Sequence, residues 1–406
     1  MRLGLFRGRL LRAAGVAACA GPLVYASACT QEVIVVDGGG GASGTGGAGA
    51  TNSVAVSSVD SGSVVTATSG STGANTSSSS TGGGVQNACF YMPDGGCPAL
   101  MDAEPLYGPC TLDSYFIDSW NSGPFVQNGE CCYNVSVSGD FCGVGRPFVV
   151  TEGAAVAAVA VDNHHWLDEY DTSIPLSLGP LQRSELASMW ACDALFEHAS
   201  VASFARVSLE LMALGAPADL VEDTHLAALD EVHHAKMCFA LASRFAGRPM
   251  GAGPLPAAAE ARPRSGLVAV AVATLVEGCI GETIAAALAR EQQLRASDEE
   301  IAEVLGQIAD DEAHHAELAW RTVAWAVRAG GEEVRLALRA TLRDAPRHLP
   351  AVQGASDRSL EVYGRLSHGD VEDVARRTLV EVVLPCAHAL LAPPEGALLR
   401  RQARVV

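Results

Sequence analysis

The chain has 406 residues, 49% of them hydrophobic, which is enough for two or three domains with a sizeable core. Its formal net charge of −19 argues against nucleic acid or an anionic membrane surface as the main partner.

In chain order, residues 1–29 carry the pattern of an export signal. Arg2, Arg7, Arg9 and Arg12 precede an apolar stretch from Ala13 to about Val24, and "ASAC" places small residues just before Cys29. This resembles a lipoprotein signal, with Cys29 as the lipidated first residue of a mature chain held to its membrane by that lipid. Cleavage after Ala28 to release a secreted protein, or an uncleaved anchor, are the alternatives. Residues 30–86 are predicted to be a disordered linker, because 37–86 is almost entirely Gly, Ser, Thr, Ala and Val and cannot bury a core. Such a tether of about 55 residues would hold its ends roughly 40–45 Å apart.

Residues 87–150 read as a small, loop-rich disulfide module. Cys89, Cys97, Cys110, Cys131, Cys132 and Cys142 fall there among frequent Gly, Pro, Asn and Asp. An even cysteine count in an exported, loop-rich segment predicts a disulfide scaffold whose connectivity the spacing leaves open.

From about 182 the chain turns helical, with apolar residues at three- and four-residue spacing. The pattern predicts helices over 182–213, 218–246, 266–294 and 298–328. Gly215-Ala-Pro217 separates the first pair, and Ser297 is the expected N-cap of the fourth. A Gly/Pro-rich stretch between the second and third is long enough to run the length of a bundle. Short turn, long crossover and short turn are the connections of an up-down-down-up four-helix bundle over 182–330. Residues 331–406 read as further helices.

The strings "DEVHH" (230–234) and "DEAHH" (311–315) carry the chemistry. Each gives a Glu followed three residues on by a His, on one helix face: Glu231/His234 and Glu312/His315. Each second Glu follows a lone Glu on the preceding helix, Glu197 by 34 residues and Glu277 by 35. The chain thus contains two copies of one unit. These groups share their stripes with Trp190, Phe204, Cys238 and Leu241, so unpaired burial is too costly. Four Glu and two neutral His balance the charge of two divalent cations. A third string, Glu222-Asp-Thr-His225, faces the opposite side and has no counterpart. Glu282 lies about 140° off the Glu277 stripe on an α-helix and is expected outside the ligand set. Cys238 is expected to be an ordinary buried thiol. His198, His233 and His314 are given no ligand role.

The constellation resembles the ferritin-like superfamily of di-iron and di-manganese carboxylate proteins. The resemblance implies an all-α four-helix bundle in which Glu231 and Glu312 bridge two iron or manganese ions. Glu197, Glu277, His234 and His315 would then be terminal ligands, and Asp230 and Asp311 would accept from the second ring nitrogen of a ligating His. It implies an oxidase or oxygenase using dioxygen and a small substrate or reductant. Ferroxidase or iron handling, and a non-catalytic metal-stabilised module, are the other classes.

Overall fold

The computed structural model describes residues 3–15, 84–91, 96–107, 115–127, 130–141, 146–149, 155–168, 178–256, 262–349, 355 and 358–392. Cys29, residues 30–83 of the expected linker, Cys110 and Cys142 lie outside them, whereas the linker's last three residues, 84–86, belong to a strand rather than to a disordered tether. The described residues are mostly helical. Four long helical segments dominate: α3 (Pro180–Ala213), α4 (Ala218–Ala246), a third from Leu267 to Arg295, and α7 (Glu299–Arg343). The remaining helices are α1 (Leu3–Ala13) and α2 (Leu100–Tyr107) before α3, and α8 (His368–Thr378) and α9 (Leu384–Leu390) after α7.

The first hairpin packs α3 along α4. Gly215 makes the turn at φ 68°, a left-handed conformation that glycine adopts without strain. In the second, the third segment packs on α7, and the two hairpins meet where α4 packs on α7. Asp298, not Ser297, caps α7: its carboxylate accepts from the Ile301 amide at 3.2 Å. α7 also outruns its expected end near 328. It passes Gly331, kinked at φ 59°, and continues to Arg343 before the Pro346 turn.

The third segment is not one regular helix. It is α5 (Leu267–Ala273), a π-helical stretch at Thr274–Glu282 and α6 (Thr283–Arg295). By length and composition it could cross a membrane, but 67% of its most apolar window is buried inside the protein. It is a core helix here, packed by Leu275, Ile280 and Ile284 against Trp320 and Val323 of α7.

The same core takes in α1 and the α8–α9 region. Phe6 and Leu10 of α1 are buried with Val382, Val383 and Cys386 from the α8–α9 region. Arg9 pairs with Glu317 of α7. The segment read as the positive start of an export signal is thus a docked amphipathic helix in the full chain.

The cysteine-rich segment is more regular than the loop-rich module expected. β1 (Gly84–Tyr91), β2 (Tyr115–Gln127) and β3 (Glu130–Phe141) form an antiparallel sheet in the order β1-β3-β2. Neighbouring strand residues point to opposite faces, so adjacent Cys131 and Cys132 reach different partners. Cys132 is bonded to Cys89, directly opposite it across the sheet, and Cys131 to Cys97. Two further two-residue strands, β4 (Ala160–Val161) and β5 (Gly251–Ala252), pair and tie the crossover to the segment before α3.

Candidate metal centre

α3 supplies Glu197, α4 supplies Glu231 and His234, and α7 supplies Glu312 and His315; all but Glu197 are buried, and its side chain is 14% exposed. Their ligand atoms form two overlapping groups. One contains Glu197, Glu231, His234 and Glu312; the other contains Glu282, Glu312 and His315.

Glu231 and Glu312 lie between the two imidazoles. His234 Nδ1 is 3.7 Å from Glu231 Oε2 and 3.5 Å from Glu312 Oε1. His315 Nδ1 is 3.2 Å from Glu231 Oε1 and 3.6 Å from Glu312 Oε2. Glu197 Oε2 approaches His234 Nδ1 at 3.8 Å.

The outer nitrogens are held across the helix pair. His234 Nε2 meets Asp311 Oδ2 at 3.2 Å, and His315 Nε2 meets Asp230 Oδ2 at 3.3 Å. Each of these two histidines is oriented by an aspartate of the other helix. With Nε2–H directed at a carboxylate, Nδ1 is left as the lone-pair nitrogen, the form that binds a metal.

Glu277 does not join either group, and the expectation that it does is corrected here. It is held by Arg264 of the crossover, with Arg206 Nη2 at 3.7 Å from its second oxygen. Glu282 stands at the centre instead, fully buried. The reason is the π winding of Thr274–Glu282. Five residues make roughly one π turn, so Glu282 comes round to the face that α winding assigns to Glu277 and Gly281. Gly278 lies inside this stretch where packing is closest: a Cβ there would be 2.5 Å from both Ala319 Cβ and Arg146 Nη2.

Arg146 gave no sequence signal. It precedes the bundle, in the stretch assigned to the disulfide module, yet its Nε reaches Glu282 Oε1 at 3.3 Å. Its guanidinium lies over the Phe204 ring at 4.7 Å, and Phe204 in turn meets the His315 ring edge-on. Further along α3, Arg206, Glu210, Glu277 and Arg264 form a second buried charge cluster. The Arg264 amide donates to Glu210 at 2.7 Å and pins the crossover to the bundle.

The other candidates separate cleanly. His233 and His314 are exposed, as are Glu222 and His225 of the third string. His198 packs edge-on against Trp166. Cys238 is buried outside both groups, and burial pushes its thiol well above the usual range.

Electrostatics tie the groups together. Burial alone would lower the pKa of His234; Asp311, Glu197, Glu231 and Glu312 outweigh it and lift it well above the usual value. Burial of His315 is likewise outweighed by Asp230, Glu231 and Glu312. Burial raises Glu312 too, but the two imidazoles overcome it and hold Glu312 low. They also hold Glu231 low, against burial and the Glu312 charge. Glu197 and Glu282 are raised, first by burial and then by the neighbouring Glu231 and Glu312 charges. The residues fit a metal. His234 Nδ1, His315 Nδ1 and one oxygen each of Glu231, Glu282 and Glu312 are buried without a hydrogen-bond partner, and these residues, unlike the other buried polar groups in that state, converge in the two ligand groups, where an ion would supply the missing interactions.

Fold and site together define a mostly helical, disulfide-bearing protein with buried Glu/His groups able to hold metal ions. Compared with protein-family models, with curated proteins and with solved structures, the chain finds no match.

Proposed function

We propose that α3, α4, the third segment and α7 are a ferritin-like four-helix bundle holding two iron or manganese ions, and that the protein is an oxidase or oxygenase acting with dioxygen on a small substrate. The observation that carries this is the pair of buried Nδ1 atoms without hydrogen-bond partners, each facing carboxylates while its Nε2 is fixed by an aspartate. Oxygen-rich donor sets with two imidazoles suit iron or manganese. Two such ions, when bound, supply the electrons for reducing dioxygen.

The chain's own residues would divide the remaining work. Glu231 and Glu312, each close to both imidazoles, would be available to both ions, and Glu197 and Glu282 would each add a carboxylate to one of the two groups. Asp230 and Asp311 fix the rings and raise their basicity. Phe204 walls the His315 side and keeps water from it. Export, with lipid attachment at Cys29, is proposed from the Arg-rich start and the small residues before that cysteine. The intact mass of the envelope-associated protein tests that part.

The decisive experiment is anaerobic loading of the full chain with ferrous iron, followed by mixing with oxygen. Two ions per chain and rapid oxygen uptake that stops after about one turnover without added reductant support an oxygenase. Uptake that continues as free ferrous iron is supplied identifies a ferroxidase. A bound pair inert to oxygen over minutes overturns the enzyme reading.

A further inference from the structure

We propose that Arg146 is a positioning residue for one half of the metal centre. It holds Glu282 and so makes the position formed by Glu282, Glu312 and His315 unlike the one formed by Glu197, Glu231, His234 and Glu312. The inference rests on the metal reading above and adds that the two positions are inequivalent.

Three separate observations build Arg146 into the site. Its Nε is 3.3 Å from Glu282 Oε1, and the two side chains are 2% and 0% exposed. Its guanidinium lies over the Phe204 ring, whose edge meets His315. The bare Cα of Gly278 gives it room, since a Cβ there would fall 2.5 Å from Arg146 Nη2. A buried carboxylate beside a second carboxylate is costly to keep charged and aimed without a cationic partner. Arg146 is that partner for Glu282.

The guanidinium is not needed to fasten its own segment. Ser200 Oγ donates to the Arg146 carbonyl at 2.9 Å, Ser203 Oγ to the Pro147 carbonyl at 3.1 Å, and Arg206 to the Val149 carbonyl. The main chain is anchored at three consecutive points of α3, which leaves the Arg146 side chain for Glu282. Glu197 has no matching guanidinium among the described contacts. The buried Arg365 on that side pairs instead with Asp193, at 2.5 Å. One position is therefore sealed and braced, whereas the other includes the partly exposed Glu197. The two-fold repetition of the ligand strings hides this difference, because Arg146 comes from outside both hairpins.

The test is cobalt(II) titration of the metal-free full chain, read by visible absorption and by stoichiometry at equilibrium. In the wild type we expect two ions per chain bound in two steps. In Arg146→Gln one step should weaken by about 10- to 100-fold, the range for losing a group that orients a ligand, while the other stays in place. Arg146→Lys should recover part of the loss. Glu282→Gln should weaken the same step, and the double variant should lose no more than Glu282→Gln alone, since Arg146 acts through that carboxylate. Losses that add, or that fall equally on both steps with a lowered melting temperature of the metal-free protein, would mean a purely structural arginine and overturn the inference. So would two unchanged steps in Arg146→Gln. A wild-type chain that bound no cobalt would overturn the metal reading and this inference with it, an outcome distinct from the other three.

Discussion

Exchanging Glu277 for Gln should disturb the fold and spare the metals, whereas Glu282→Gln should do the reverse. Glu277 is 7% exposed and is held by Arg264 and Arg206. Removing its charge leaves Arg206 buried with Glu210, 3.8 Å away, as its remaining carboxylate partner among the described residues, beside neutral acceptors at Val149 and Ser203. Breaking a buried ion pair by removing one partner costs about 3–5 kcal/mol. Arg264 is 22% exposed and keeps Glu210 as a partner, so we expect the lower part of that range or less, about 2–3 kcal/mol. In a domain of this size that is a fall in Tm of roughly 4–12 °C. The assay is thermal unfolding of the metal-free full chain, paired with elemental analysis after loading and desalting. Glu277→Gln should keep both ions, and Glu282→Gln should keep one. Loss of an ion from Glu277→Gln, with both retained in Glu282→Gln, would refute the π-helical phase argument and restore the ligand set expected from α winding.

Three other outcomes follow from the same geometry. In the metal-free protein the pKa values of His234, His315, Glu197 and Glu282 are all raised, so divalent ions compete with protons for these groups, and loading should release protons and weaken as pH falls. Calorimetric titration in two buffers of different ionisation enthalpy measures this, and near-zero release would contradict it. Gly278→Ala should destabilise the protein by about 1–3 kcal/mol through overpacking against Ala319 and Arg146, seen as a lower denaturation midpoint. Leu10→Ala, made in the full chain, should cost about 2–5 kcal/mol because Leu10 is fully buried; an unchanged melting temperature would mean α1 is not docked in solution.

The helices and most of the centre could be read from residues alone because both rest on local rules. The α4 limits follow from Pro217 before it and Gly247 after it, and the Glu-x-x-His strings from three-residue spacing on regular helices. The misplacement of the fourth carboxylate has a specific cause. Height along the hairpin and helical phase point to different residues. Height along the hairpin favours Glu282, which lies 15 residues before Ser297 as Glu312 lies 15 after it. Helical phase favours Glu277, but only if the segment winds as an α-helix throughout. A π stretch leaves height nearly intact and shifts phase, so height was the sounder guide. Arg146 was beyond reach for another reason: no periodicity links a residue in an irregular segment to a carboxylate 136 positions on. The sheet of the cysteine-rich segment is hidden by its Gly, Pro and Asn content, although Cys131, Tyr133 and Val135, two apart, share one core face of β3.

The crossed aspartates have a consequence for the two halves of the molecule. In each bond the residue numbers of the partners sum to one value, since 234 with 311 and 230 with 315 both give 545. That is the register of two antiparallel rods, and a slide of α4 along α7 breaks both bonds together. Neither hairpin can orient its own histidine, although each carries a complete Glu and Glu-x-x-His set. Half of the chain is therefore not half of a binding protein. Severed at the crossover, the two pieces would have to find each other before either could grip an ion, and a lone hairpin could regain that grip only by pairing with a second hairpin of its own kind.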